Sequence, residues 1–374
     1  MQILQTIFLK KGNWRSLSLL AMFVAFFVLS NSAFPQVTTL WEKSAKTSTL
    51  PQYFGSTTER GFAYGYVGGN HRIYVASRAI GTNVVILDAA TGDSVGTLST
   101  TGIAGGDLAL NDIEVDNDGV IYACNLATNP STSAFKIYKW TSEAVDPVVA
   151  LEYTGVTYRL GDKFTVIGSA LNNTLTIYLA SSASNKVVKF TTADNGATFT
   201  PVEITLSDIT TNPGTSPAVW PLGTGSADFW VNGYSITPRK YSSDGTALDT
   251  VLTGLIPTAS TALRSFTYGG KTILANYITG STTERNNIRF IDVTDPGSAA
   301  KIYNGMTSPL GTATNSSYTG DIAIKDNGNG TFDVFLIAPN NGIAAYRYYT
   351  AGLSDVVINS FPYFQGFESG LIPS

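Results

Sequence analysis

One short pattern recurs along this 374-residue chain and limits what it can fold into. Ile73 to Leu98 reads IYVASRAIGTNVVILDAATGDSVGTL: two runs rich in β-branched residues, the turn signal Ala-Thr-Gly-Asp, and a third run, SVGTL. β-Branched and aromatic side chains fit a pleated, half-buried surface, so the stretch reads as strand, strand, turn, strand. Counterparts of its first run follow at IYACN (Ile121 to Asn125), IYLAS (Ile177 to Ser181), FWVNG (Phe229 to Gly233), ILANY (Ile273 to Tyr277) and VFLIAP (Val334 to Pro339). Successive starts lie 48, 56, 52, 44 and 61 residues apart, which brackets the ~40 to 50 residues of a propeller blade with loop insertions.

Most of these runs are preceded and followed by another strand-like run, as in DIEVDNDGVIYACN and FKIYKW. Six segments in one order predict an all-β fold, a β-propeller of six blades. Seven is the alternative, because the stretch between Ile273 and Val334 has room for a degenerate blade. Radial repetition hides sheet faces against neighbouring sheets and leaves only short edges. A linear solenoid would need shorter, more regular rungs. The longest helical candidate, Ser142 to Leu151, is interrupted by Pro147 and has no wide apolar stripe. Val37 to Ala45 reads as a strand with nothing before it to pair with, so it is expected to close the ring against Ala344 to Tyr349. Asp116-Asn117-Asp118-Gly119 and Asp326-Asn327-Gly328-Asn329-Gly330 are tight reversals, since Asx and Gly reach positive φ at little cost.

Residues 1–33 have the shape of an export signal: Lys10, Lys11 and Arg15, then a 13-residue apolar core from Leu17 to Leu29, then Ser30, Ser32 and Ala33. The core is short for a bilayer span, and an uncleaved anchor is the alternative. Cleavage would leave 20 basic and 27 acidic side chains, a net charge of −7, on a protein outside the cytoplasm with no stable membrane span. The propeller is expected over residues 37–355. Only 13% of residues are charged, about half the ~25% of an average globular protein, and no basic block offers a footprint for nucleic acid.

Signatures of catalysis are scarce. The single histidine, His71, stands in a Gly-Gly-Asn-His turn, and the single cysteine, Cys124, reads as an apolar filler in IYACN. Asp112, Glu114, Asp116 and Asp118 alternate, which gives two readings: a hairpin with a solvent-facing edge, or a surface Ca²⁺ site near Asp116 and Asp118. The twelve-residue calcium loop wants a Glu six positions past its Gly, where this chain has Asn125. No other cofactor or metal is expected. Propeller ligands gather where loops approach the innermost strands and leave the second ones. This places Arg60, Asn111, Arg159, Trp220 and Arg264 at approaching positions, and Arg78, Asn125 and Tyr277 at leaving ones. Guanidinium forks suit carboxylates and flat rings suit sugars, while the competing reading is that these side chains hold blades together.

The runs TTERGFAYG, HRIYVASR, VVILDAATGDSVGTL, TTGIAGGDLALNDIEVDNDGVIYACNL and FKIYKW resemble a family of secreted, propeller-like bacterial domains of unknown function, from Trp41 to about Tyr349. VVILDAATGDSV is also similar to lactonase-like and NHL-type repeats. The resemblance implies the fold and export, often by type IX secretion, and no established activity. Phe361 to Pro373, FPYFQGFESGLIP, resembles the opening of cleaved-adhesin or choice-of-anchor-J jelly-roll modules, so residues 361–374 are expected to be the start of such a module. Two functions follow. One is a secreted or cell-surface binding or adhesion protein that recognises carbohydrate or another protein through the propeller loops. The other is an extracellular hydrolase or lyase acting on acidic polysaccharide or a lactone, with Arg60, Arg159 and Arg264 as anion clamps.

Overall fold

Successive apolar runs pair antiparallel in chain order, and each group of pairs makes one blade. The computed structural model describes residues 37–225, 227–257, 259–280, 285–294 and 307–350. The first strand is β1 (Val37–Ser44). Blade 1 is β2 (Gly61–Val67), β3 (Asn70–Ser77), β4 (Asn83–Asp88) and β5 (Ser94–Leu98). Blade 2 is β6 (Leu108–Val115), β7 (Ile121–Leu126), β8 (Phe135–Trp140) and β9 (Val148–Tyr153). Blade 3 is β10 (Thr165–Ile167), β11 (Thr176–Ala180), β12 (Lys186–Thr191) and β13 (Thr200–Thr205). Blade 4 is β14 (Ala218–Pro221), β15 (Phe229–Gly233), β16 (Ile236–Tyr241) and β17 (Ala247–Thr250). Blade 5 has the described strands β18 (Ser260–Tyr268), β19 (Lys271–Ile278) and β20 (Asn287–Asp292). Blade 6 is β21 (Asp321–Asp326), β22 (Thr331–Ala338) and β23 (Gly342–Tyr349), with β1 as its outermost strand.

Every recurring run is the second strand of its blade, where both sheet faces are covered, so the runs are apolar without alternation. The core is divided among six apolar clusters, each joining facing sides of two neighbouring blades. Tyr122, Phe135 and Ile137 of blade 2, for example, pack on Ile177, Val188 and Phe190 of blade 3. The first strands β2, β6, β10, β14, β18 and β21 neighbour one another in that order around the axis, and β21 returns to β2. All six run the same way. The propeller therefore has a leading face, where these strands begin, and a trailing face, where they turn back.

Ring closure follows from the unpaired first strand. β1 pairs antiparallel with β23 from Val37↔Tyr348 to Ser44↔Gly342, against the segment expected from sequence. The stretch between Ile273 and Val334 supplies strands to blades 5 and 6 and no further sheet among the described residues, so there are six blades. Cys124 is buried and free. His71 lies within β3, where its Nδ1 meets the Tyr64 hydroxyl at 2.7 Å. The export-signal segment, residues 1–33, and the adhesin-like segment, residues 361–374, lie outside the described residues.

Candidate functional site

Asp112 and Glu114 look like the acids of a solvent-facing edge, yet β6 is an innermost strand and both side chains point to the axis. Asp112 and Asp321 are 0% exposed and Lys163 only 3%. Lys163 Nζ donates to Asp321 Oδ2 at 2.9 Å, lies 3.4 Å from Asp112 Oδ1 and also donates to the Arg60 carbonyl. Backbone N–H groups complete this tier: Phe164 donates to Asp112 Oδ2 at 2.9 Å and Ile322 to Asp321 Oδ1 at 2.8 Å. A second tier lies one step toward the trailing face. Arg264 Nη2 donates to Glu114 Oε1 at 2.5 Å and lies 3.5 Å from Asp321 Oδ1. Its guanidinium carbon stands 4.9 Å from the centre of the Trp220 ring, a cation–π contact.

Three carboxyl groups face two cations here, so a fully ionised cluster would hold an excess negative charge among buried side chains. Burial raises Asp112 to about 7 despite Lys163 beside it, and burial also raises Glu114 well above the usual carboxylate range. Burial disfavours the charges of Lys163 and Arg264 too. The carboxylates around them outweigh it, and both pKa values are raised. The cluster thus keeps its cations and tends to retain a proton on its acids.

Below the second tier, a cavity of about 660 Å³ opens on the trailing face. Glu114 and Arg264 form its floor, and Trp220, Tyr64 and Phe266 contribute aromatic walls. Tyr66, Ser265, Thr267, Asn117, Asp118 and Asp326 also line it. Its size lies within the ~300–1,000 Å³ of small-molecule sites. The buried ion cluster blocks it from above. At the leading face the loop from Asn315 to Thr319 crosses the axis: Ser216 and Thr261 donate to the carbonyls of Ser317 and Tyr318, and Thr319 Oγ1 donates to the Arg60 carbonyl.

Two of the eight residues singled out from sequence, Trp220 and Arg264, line this cavity, and both lie within innermost strands and not in loops. Asn111 also lies within its strand, buried, and donates to the carbonyls of Gly161 and Asp162. Asn125 ties Ala134 to Lys136, and the buried Tyr277 hydroxyl donates to Asn286 Oδ1 at 3.1 Å. Arg60, Arg78 and Arg159 sit together at the leading face, away from the cavity. The carboxylates considered for calcium are engaged within and beside their hairpin. Asp116 accepts from the N–H groups of Asp118 and Val120 and from the Tyr122 hydroxyl, while Asp118 accepts from Ser169 Oγ at 2.8 Å. Among the described residues no three His, Cys, Asp or Glu side chains are grouped to hold a metal ion. Sequence reading did not single out Tyr64, Tyr66, Lys163, Asp321 or Asp326 as site residues. No local signal marks Lys163 or Asp321, because their ionic partners come from other blades.

A family model described as a domain of unknown function, DUF4623, matches residues 32–332. A solved DUF4623 family protein from Bacteroides eggerthii is 16% identical, with 84% of this chain and 74% of that chain covered and a TM-score of 0.65. The α-L-arabinanase of Penicillium chrysogenum, complexed with arabinobiose, is 12% identical over 84% of this chain and 98% of its own, with a TM-score of 0.55. The α-L-arabinofuranosidase of Fusarium graminearum, also with arabinobiose, is 12% identical over 85% and 99%, with a TM-score of 0.54. These likenesses show the propeller fold, shared here with proteins that act on carbohydrates. No curated protein matches the chain.

Proposed function

The chain belongs to the DUF4623 family of domains of unknown function, and on that premise we propose that it is a carbohydrate-binding propeller whose trailing-face cavity takes a neutral sugar. The observation that carries this reading is the lining of the trailing-face cavity. The Trp220 ring, braced by Arg264, shares it with Tyr64, Tyr66 and the polar side chains of Ser265, Thr267, Asn117 and Asp326. Aromatic faces cover the C–H faces of a sugar ring while hydroxyl, amide and carboxylate groups meet its hydroxyls.

Charge balance narrows the class. Glu114, Asp116, Asp118 and Asp326 line the cavity with one guanidinium, Arg264, which is already engaged by Glu114 and Asp321. A uronic acid would meet repulsion at this pocket, so the anion-clamp role expected for Arg264 does not suit it. The export-like residues 1–33, the secretion route that the family resemblance implies and the adhesin-like residues 361–374 support an extracellular, surface-associated protein and hence a polysaccharide source of ligand.

A second reading, glycoside hydrolysis, is favoured by Glu114. It is a nearly buried carboxyl held toward its protonated form on the floor of a cavity that has further carboxylates in its lining. Hydrolysis of a glycosidic bond uses one such acid to protonate the leaving oxygen and a second carboxylate as base or nucleophile. The fold shared with an arabinanase and an arabinofuranosidase supports this reading.

Calorimetric titration of the full chain with neutral and uronic oligosaccharides tests both readings. Binding of a neutral oligosaccharide, weakened about tenfold or more in Trp220→Ala, is expected. Binding of uronic oligosaccharides alone, or an unaffected Trp220→Ala, would overturn the neutral-sugar site. Product analysis then separates the readings: an enzyme releases sugars and loses that release, with binding kept, in Glu114→Gln.

A further inference from the structure

The leading face carries a group of positive charges that the cavity does not use. Arg60 stands just before β2 and Arg78 just after β3, and because Gly61 pairs with Ala76 the two side chains emerge together at the leading end of blade 1. Arg78 reaches the Leu110 carbonyl of blade 2 and the Thr57 carbonyl, both at 3.4 Å, the long limit of a hydrogen bond. Next to Leu110, Asn111 donates to the carbonyls of Gly161 and Asp162, and that same turn carries Arg159. Three guanidiniums thus span the leading ends of blades 1 to 3.

Their counter-charges are unequal. Arg159 is held by Asp162 through two bonds, at 2.8 and 2.5 Å. Arg60 donates Nη2 to Ser317 Oγ at 3.0 Å, and its Nε is buried without a partner. Among the described residues neither Arg60 nor Arg78 forms an ion pair. Glu59, near Arg78, is fully buried, accepts from Gly55, Thr58 and Ser77, and is raised by its burial. Burial and then the neighbouring Arg78 bring Arg60 down to about 10, against the opposing pull of Asp162, and Arg159 adds to the lowering. Two forks without an ion pair, each partly buried, lie side by side, and their charges repel one another.

We propose that the leading face is an anion site, in which Arg60 and Arg78 clasp one oxyanion, the carboxylate of a sugar acid or a sulfate group, with Arg159 at its border. Charge-assisted bonds to an oxyanion are stronger than bonds to the carbonyls that Arg78 now touches, and the oxyanion cancels the repulsion between the forks. The site is independent of the neutral-sugar pocket. It lies at the other end of the axis, beyond the buried ion cluster.

The test is thermal melting and calorimetric titration of the full chain with sodium glucuronate and with sodium sulfate, against sodium chloride at matched ionic strength. Glucuronate or sulfate should raise the melting temperature above the chloride control, since a ligand bound only by the folded state stabilises it. The stronger of the two names the group that the site prefers. Arg60→Gln/Arg78→Gln should bind at least about tenfold more weakly, the loss expected for removing hydrogen bonds to a charged group. Equal stabilisation by chloride, or an undiminished response in the double variant, would overturn the proposal. If the double variant does not fold, Arg78→Gln alone serves, because its side chain makes only the two long bonds. Trp220→Ala should keep the anion response, and the double variant should keep neutral-sugar binding, so each proposal can fail without the other.

Discussion

At the scale of single residues, the axis is where ordinary rules for surface charges do not apply. Lys163 lies buried between two carboxylates, and removing one partner of a buried pair leaves an uncompensated charge. Lys163→Met should therefore cost about 3–5 kcal/mol of unfolding free energy in urea denaturation. Adding Asp112→Asn should cost less than the sum of the two single changes, because the residues share one interaction. A loss below about 1 kcal/mol for Lys163→Met, the range of surface pairs, would show that the axial contacts contribute little. Gly61 is constrained by the same cluster. A Cβ there would lie 1.8 Å from Asp112 Oδ1 and 2.7 Å from its Cα, and the backbone cannot retreat. Gly61→Ala should lower stability by about 1–3 kcal/mol or more on the same measurement. None of this was legible locally. Asp112 lies 51 residues from Lys163, Lys163 lies 158 from Asp321, and Glu114 lies 150 from Arg264. Alternating acids look the same on a wet edge as at a sealed axis until the opposing cations are placed.

At the scale of elements, β1 does more than complete a sheet. It pairs with β23 in blade 6, while Trp41 Nε1 donates to the Ala89 carbonyl of blade 1 at 3.0 Å and Lys43 pairs with Asp93 at 2.5 Å. The Trp41 ring covers Gly92, whose φ of +71° and missing Cβ let the turn approach it; a Cβ there would lie 2.6 Å from the ring. The strand thus fastens the last blade to the first. Trp41→Ala should cost roughly 3 kcal/mol in chemical denaturation, near the lower end for a packed Trp, whereas Leu40→Ala, at a side chain 41% exposed, should stay within about 0.5 kcal/mol. Equal costs at both positions would remove the fastening role. This closure was legible because an apolar strand without a preceding partner must find a free edge, and the last repeat has one. Blade order was legible because each blade is built from neighbouring runs. The placement of Asn111, Trp220 and Arg264 in approach loops was not legible, since they stand inside innermost strands whose bounds no turn residue marks.

At the scale of the whole molecule, burying acids at the axis and hydrogen-bonding acids at the rim set opposite pH dependences. Asp112 ionises near 3.8 when unfolded and near 7 when folded, so between these values the folded state binds more protons. Its contribution is complete below pH 3.8 and is lost as pH rises through 7, and the raised Glu114 acts in the same direction. Rim carboxylates do the reverse. Hydrogen bonds from Thr198 hold Asp194 down to about 2, and bonds from Lys43 and Ser242 lower Asp93 and Asp244, so their contribution is present above the ordinary carboxylate range and is lost on acidification. Lys163 and Arg264 have raised pKa values and stay charged throughout this range, with Asp321 between them. The melting temperature measured by calorimetry at constant ionic strength should therefore peak near pH 4, decline as pH rises from there through 7, and fall on further acidification. Asp112→Asn should flatten the neutral-side decline and leave the acid side unchanged, because only the axial proton has been removed. A melting temperature that stays level or climbs between pH 4 and 7 would mean that the axial acids are ionised in the folded state. In that case the cavity floor would carry a carboxylate at Glu114, and the proton required for the hydrolytic reading would be absent.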